Sequence, residues 1–386
     1  MKSKSLILST GLAMFSMFFG SGNLVFPLVV GQMSGGHYLT GAFGIFLTGV
    51  LVPFLGILAI LLFNGSAKEF FGRLGKPATF WLPFIALSLM GPFGVLARCI
   101  TVAHGAFKLI VPNTPLWVFS ALSCAILFFL TIRKNRIVPV LGVILTPILL
   151  VSLLLIGIFG LYFADWPSAA NTPLWGSFKT GILQGYQTMD LLAAFFFSAF
   201  VIKHLQTKQN EGAMPSEPKK TLPIFLKASF IGAGLLSLVY VVLVLLGAIY
   251  APELGSVAPQ EMLAYIAHAS LGPFAAPVVC VAVILACLTT SVVLTSLFAD
   301  FLKKEVAKDK IGNGVALAVT LFIAFFISTL EFSGIAKIIG PILEAVYPAL
   351  IVLTVLSIFY KLWGWRWIRF PFAIAFFTKL LLRFSH

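Results

Sequence analysis

Apolar runs long enough to cross a bilayer recur from one end of this chain to the other, separated only by short polar joints. A membrane span needs about 20 mainly apolar residues, because the hydrocarbon core is about 30 Å thick and a helix rises 1.5 Å per residue. Only 10% of the 386 residues are charged, against roughly a quarter in soluble domains. No polar stretch is long enough to form a separate soluble domain. The reading is one all-α polytopic membrane domain, residues 1–386, surrounded by membrane lipid.

Eleven spans are expected, near 6–30, 39–63, 79–107, 115–132, 137–163, 179–202, 222–250, 272–302, 311–330, 335–360 and 368–384. The connection from Pro252 to Leu271 is expected to carry a short helix lying on the surface. The first run continues past Gly20-Ser21-Gly22 and lacks an Ala-x-Ala cleavage site, so it reads as a retained span and not a signal peptide.

The net charge of +14 would suit a nucleic-acid binder if it formed one face. Instead the basic residues fall at alternate joints. Placing the N-terminus in the cytoplasm puts 20 of the 26 on the inner side. They are Lys2, Lys4, Lys68, Arg73, Lys76, Arg133, Lys134, Arg136, Lys203, Lys208, Lys219, Lys220, Lys227, Lys303, Lys304, Lys308, Lys310, Lys361, Arg366 and Arg369. The outer connections hold Asp165, Glu253 and Glu261, while Lys379 and Arg383 at the last span disagree. No nucleic-acid partner is expected. The four cysteines lie inside apolar runs without a CxxC pair, a pattern that suggests neither a disulfide framework nor a zinc site.

Three spans carry residues that a simple lipid-facing helix would not need. Span 1 holds Gly20, Ser21, Gly22 and Asn23 at its middle. In lipid every backbone group needs a partner, so a helix break survives only where it lines a protein cavity. Transporters use such breaks to aim half-helix amides and free carbonyls at substrate and cation. The same residues would also suit a glycine packing face or a kink. Span 6 carries Gln187, Thr188 and Asp190, and a carboxylate at membrane depth costs roughly 2.5–3.5 kcal/mol. It suits either a ligand contact or a structural hydrogen bond to a neighbouring helix. Span 8 offers Thr289, Thr290 and Ser291, whose hydroxyls either coordinate a hard cation or bond back to their own helix. Arg98 in span 3 reads as a charge paired inside the bundle or snorkelling from it. The interrupted spans are first and sixth, at corresponding places in two five-span halves of opposite topology, 6–163 and 179–360, followed by a C-terminal extra helix over 361–386.

An ordered series of segments resembles the bacterial branched-chain amino acid:cation symporters, within the amino acid–polyamine–organocation superfamily. The series runs from Phe18-Phe19-Gly20-Ser21-Gly22-Asn23-Leu24-Val25-Phe26-Pro27 through Gly91-Pro92-Phe93 with Arg98 and Leu145-Thr146-Pro147. Gly185-Tyr186-Gln187-Thr188-Met189-Asp190, Ala286-Cys287-Leu288-Thr289-Thr290 and Tyr347-Pro348 complete it. The resemblance implies the 5+5 inverted-repeat bundle of sodium-coupled leucine transporters, with discontinuous helices 1 and 6, in a bacterial inner membrane. It implies an amino acid substrate bound through Gly20, Ser21, Gly22 and Asn23, with the carboxylate on the amides of Ser21 and Gly22. The ammonium would be received near Gln187, Thr188 and Asp190. It implies a sodium ion among Ser16, Phe19, Ala286, Thr289 and Thr290, and no cofactor. The chain departs from that family's pattern at Ala97, Cys99 and Ile100, at His104-Gly105 and at Val143, and ends one span short of the common twelve.

Other classes leave weaker traces. The same fold would also carry another neutral amino acid, or couple to protons through Asp190 or His104. A membrane enzyme needs clustered ionisable groups, and His37, His104, His204, His268 and His386 are scattered. No catalytic residue is assigned, and nothing in the sequence sets an oligomeric state. A channel needs a filter loop or charge ring, and neither occurs. No GxxxxGK[ST] loop is present, so an ion gradient is the expected energy source.

Overall fold

The computed structural model describes residues 2–132, 137–162, 172–198 and 218–384, and over these it is entirely helical and loop. Arg133, Lys134, Arg136, Asp165, Lys203, Lys208, His204 and His386 lie outside the described residues. So do the side chains of Lys2, Lys4, Val143, Leu145, Thr146, Pro147, Lys219, Lys220, Lys379 and Arg383.

Span 1 divides into α1 (Lys2–Phe18) and α2 (Ser21–Ser34). Span 2 is α3 (Tyr38–Phe46), a π-helical turn (Leu47–Leu51) and α4 (Val52–Leu62). After the short α5 (Ala67–Gly72), span 3 is built from α6 (Ala78–Met90) and α7 (Val95–Phe107). Spans 4 and 5 are α8 (Leu116–Ile132) and α9 (Ile137–Tyr162). Span 6 is α10 (Leu174–Gln187) followed by α11, residues 190–198. Then come α12 (Pro218–Ile249), α13 (Ala251–Leu254), α14 (Met262–Phe301), α15 (Asn313–Ser328), α16 (Glu331–Trp363) and α17 (Arg369–Phe384). Among the described residues, 5 helical stretches are long and apolar enough to cross a membrane unaided, and the remaining apolar helices are shorter.

The expected breaks in spans 1 and 6 are present, and a third interrupts span 3, which the sequence reading took as continuous. Gly91-Pro92-Phe93-Gly94 forms a tight turn there, closed by the Phe93 amide on the Ser88 carbonyl at 3.2 Å. Pro92 has no N–H to extend α6, so the chain restarts at Val95. The long α14 is itself two pieces. Gly272 adopts φ 75°, ψ 178°, a conformation reserved for glycine, and separates a ten-residue helix, 262–271, from the apolar span that follows. That first piece is the short helix expected before Leu271.

Helix pairing is symmetric. Both α1 and α2 pack along α12, while α10 packs along α3, and α7 lies against α14. Exchanging spans 1–5 for spans 6–10 maps the 1–7 pair onto the 6–2 pair and the 3–8 pair onto itself. The α8–α15 and α9–α14 contacts follow the same rule, the latter answered by α16 on α7. This is the 5+5 inverted-repeat bundle. The closest approaches are backbone to backbone, at small residues, as membrane helices require where lipid offers no hydrophobic driving force. A Cβ at Gly181 on α10 would lie 2.2 Å from the Gly41 carbonyl on α3.

At the end of the bundle where α2 finishes, the connection 250–271 lies across the helices. Gln32 Nε2 donates to the Leu254 carbonyl at 2.7 Å. Lys108 Nζ meets Glu261 Oε1 at 2.8 Å, with side chains 40% and 31% exposed. A half-exposed ion pair of this kind contributes under about 1 kcal/mol. Glu261→Ala is therefore expected to leave the thermal midpoint in detergent nearly unchanged; a large drop would mean that the pair, not the apolar packing, holds the connection down.

Candidate functional site

The chain enters the first break at Phe18 and re-forms a helix at Ser21, with Gly20 extended between them at φ −125°, ψ −168°. The first amides of α2 have no carbonyl a turn earlier to bond. Asn23 closes this end by accepting from the Gly20 N–H at Oδ1, 3.2 Å. In the second break, α10 ends at Gln187, Met189 turns with φ 60°, and α11 restarts at Asp190. The Thr188 hydroxyl donates to the Gly185 carbonyl at 2.9 Å.

The two breaks touch. Gly22 faces the backbone of Thr188, where a Cβ on Gly22 would come within 3.3 Å of Thr188 Cα. Asn23 Nδ2 donates to Asp190 Oδ2 at 2.7 Å and to the Tyr240 hydroxyl at 2.6 Å, and Tyr240 donates to the same Oδ2 at 3.3 Å. All three side chains are buried. Asp190 therefore holds the structural bond to neighbouring helices that its sequence position allowed, linking spans 1, 6 and 7. Tyr240 went unnamed in the sequence, although it is the one tyrosine in the apolar run of α12 and so a detectable signal. It sits beside the π-helical turn of span 2, where Gly49 leaves room for its ring: a Cβ there would stand 3.1 Å from Tyr240 Cε2. A π-turn of this sort commonly marks a functional region.

Arg98 fixes the other side of the second break. Its Nη1 donates to the Gln187 carbonyl at 2.8 Å and its Nη2 to Gln187 Oε1 at 2.6 Å. The guanidinium caps the negative end of α10, where helix carbonyls lack partners, and its carbon lies 5.2 Å from the Phe26 ring and 5.5 Å from that of Phe332. One position on, Cys99 Sγ donates to Ser21 Oγ at 3.2 Å. Ser21 thus engages α7, whereas Gly22 and Asn23 engage spans 6 and 7.

Span 8 meets the first break at Thr290, whose methyl carbon lies 3.7 Å from a Cβ built on Gly20. Thr289 donates to the Ala286 carbonyl at 2.9 Å. That bond uses the hydroxyl hydrogen and leaves its lone pairs as acceptors. Ala286, Thr289 and Thr290 are half-buried, as is Ser16 on α1, three residues before the buried Phe19 at the break. Phe19 stacks on Phe15 with ring centroids 5.0 Å apart. Gly20 and Thr290 are the pair from the two elements that is brought together here. His104 Nε2 is hydrogen-bonded to the Thr114 carbonyl at 2.8 Å, and Gly105 packs under the Gln260 backbone.

Known proteins with this architecture and sequence are transporters. The solved structure of Mhp1 in an inward-facing conformation superposes with TM-score 0.64 over 98% of this chain and 89% of that one, at 13% identity. That of MhsT in complex with L-phenylalanine gives 0.59, over 97% and 98%, at 16% identity; these likenesses establish the fold. In sequence, the branched-chain amino acid permease BraB of Bacillus subtilis is 31% identical over 369 residues, 92% of this chain and 80% of its own. The permease BrnQ of Corynebacterium glutamicum is 29% identical over 358 residues, 92% and 81%, and that of Escherichia coli K12 is 26% identical over 366 residues. The model of the branched-chain amino acid transport protein family matches residues 3–382, and the chain belongs to that family.

Proposed function

We propose that this protein is a secondary active transporter of leucine, isoleucine and valine, driven by sodium symport with alternating access. The observation that carries this reading is the junction of two helix breaks beside the Thr289-Thr290 pair of α14. Gly20 meets Thr290 on one side and Gly22 meets Thr188 on the other. The amides of Ser21 and Gly22, at the positive end of α2, suit a carboxylate. The polar cluster of Thr188 and Asp190 suits the ammonium. Hydroxyls of Thr289 and Thr290, with carbonyls near Ser16, Phe19 and Ala286, suit sodium, a hard cation that prefers oxygen ligands. The names of relatives 26–31% identical over more than nine-tenths of this chain support a branched-chain substrate. Cation and substrate binding to one conformation would each raise the other's affinity by the same factor.

The same reading places the N-terminus in the cytoplasm of a bacterial inner membrane. Residues 6–163 and 179–360 form the two inverted repeats, and 361–386 an added helix. Proton coupling on this fold is the competing reading, favoured by the single buried carboxylate among the described residues, Asp190.

The test is radiolabelled leucine uptake into proteoliposomes with and without an inward sodium gradient, beside Thr289→Ala/Thr290→Ala. Uptake is expected to follow the sodium gradient, and the double variant to lose that dependence by at least about tenfold, the weight of roughly 1.4 kcal/mol per tenfold change. Uptake that tracks a proton gradient alone would overturn the ion assignment. Absence of uptake of any aliphatic amino acid would overturn the substrate.

A further inference from the structure

Among the described residues, Arg98 and Asp190 are the only buried members of the Arg/Lys and Asp/Glu types, 1% and 3% exposed. They flank the same break, yet no ion pair joins them within 4.0 Å. Charges at membrane depth are costly and almost always paired. Here the guanidinium is only partly satisfied. The guanidinium has five N–H donors; Nη1 and Nη2 make the bonds to Gln187, and Nε has no partner. Asp190 accepts Asn23 and Tyr240 at the same oxygen, Oδ2, so neither of those bonds engages Oδ1, and the Thr188 side chain adds a further hydrogen bond to the carboxyl. Tyr347 stacks on Tyr186 at 4.9 Å, and its buried hydroxyl, beside the start of α11, makes no hydrogen bond of good geometry. Its ring thus stands in the same region with an unused polar atom.

A ligand that carries both charges on one carbon would complete this arrangement. We propose that Arg98 and Asp190 are the two poles of a zwitterion site, with Arg98 receiving the α-carboxylate and Asp190 Oδ1 facing the α-ammonium. The inference rests on the amino acid reading given above and adds Arg98 to it as a substrate-binding residue. In the present arrangement Arg98 spends two donors on Gln187, a neutral amide and carbonyl. A carboxylate accepts from a guanidinium through two parallel bonds and roughly twice as strongly as a neutral acceptor. Exchange of Gln187 for the substrate carboxylate would therefore release the end of α10 as the substrate docks. Phe26 belongs to the same assembly, since it packs on Gly22 within its own helix and under the guanidinium. Substrate binding at Arg98 would in this way be felt at the first break as well.

The test is a comparison of two ligands in two proteins. Leucinamide keeps the ammonium and side chain of leucine but has no carboxylate. Affinities are read by displacement of radiolabelled leucine, or by direct titration, on full-length purified protein. Wild type is expected to prefer leucine over leucinamide by at least tenfold. Arg98→Gln is expected to lose that preference, leucine weakening to the level of leucinamide while leucinamide changes less than twofold. A parallel loss for both ligands would make Arg98 a purely structural residue and overturn the proposal; so would an undiminished preference. Should Arg98→Gln not yield monodisperse protein, Arg98→Gln/Asp190→Asn removes both ionisable groups together and leaves neither without a counter-charge. The preference is then again expected to vanish, and its persistence would overturn the site. Failure of the wild type to bind leucine at all would instead remove the amino acid reading on which this rests.

Discussion

Asn23→Leu is expected to abolish transport and to cost the folded protein about 3 kcal/mol, the range for stranding a buried polar or charged partner. The substitution keeps the branched shape of the side chain and removes three hydrogen bonds: those to Asp190 at 2.7 Å and Tyr240 at 2.6 Å, and that from the Gly20 amide at 3.2 Å. Asp190 would lose the 2.7 Å bond and keep the longer one from the Tyr240 hydroxyl at 3.3 Å. In hydrocarbon, water cannot take the place of the lost donors. The effect is read as a lowered unfolding midpoint in detergent together with loss of uptake. Adding Asp190→Leu should restore much of the stability and none of the transport, because the two residues are coupled and the carboxylate that needed the amide is gone. A stable, active Asn23→Leu protein would mean that the two breaks are held together by something other than this network.

A second large effect is expected at Gly31. A Cβ there would lie 1.9 Å from the Val244 carbonyl and 2.7 Å from the Ala248 amide, both backbone atoms of α12. Real Cβ contacts essentially never fall below 3.0 Å, so α2 and α12 must part by more than an ångström to admit even alanine. Gly247 on the facing helix makes the reciprocal approach to the Leu28 carbonyl. Gly31→Val is expected to leave no monodisperse protein on size exclusion after extraction. Gly234→Ala on the same α12 meets nothing within 4 Å and is expected to be neutral or to stabilise by under about 1 kcal/mol through helix propensity. Similar behaviour of the two variants would show that the close approach does not limit assembly.

Much of this architecture is legible in the residues because membrane helices forbid casual exceptions. Glycine, serine and asparagine at 20–23 and a carboxylate at 190 cannot sit in a lipid-facing helix without a reason, and both mark real breaks. The connection before Leu271 announces itself by its proline, glycine and acidic residues. The break in span 3 escaped because Gly91-Pro92-Phe93-Gly94 lies within an otherwise apolar run of span length, and a proline there is also compatible with a kink. The partners of Asp190 were unreadable for a different reason. Residue types reveal that a buried carboxylate needs donors, not which helices supply them. Asn23 and Tyr240 are 167 and 50 positions away, and only the pairing of span 1 with span 7 brings them there. The ambiguity at Thr289 was likewise real, since its bond to Ala286 and a role as oxygen ligand are compatible.

The pairing of each half's broken helix with the second span of the other half also sets the order of events at the ribosome. Asn23 must wait for Tyr240, 217 residues later. At roughly 5–20 residues per second of synthesis that interval is on the order of 10–40 s. Until α11 and α12 have emerged and inserted, the Asn23 amide lacks first Asp190 and then Tyr240. A chain clipped after its first five spans would therefore carry Asn23 without either of these partners.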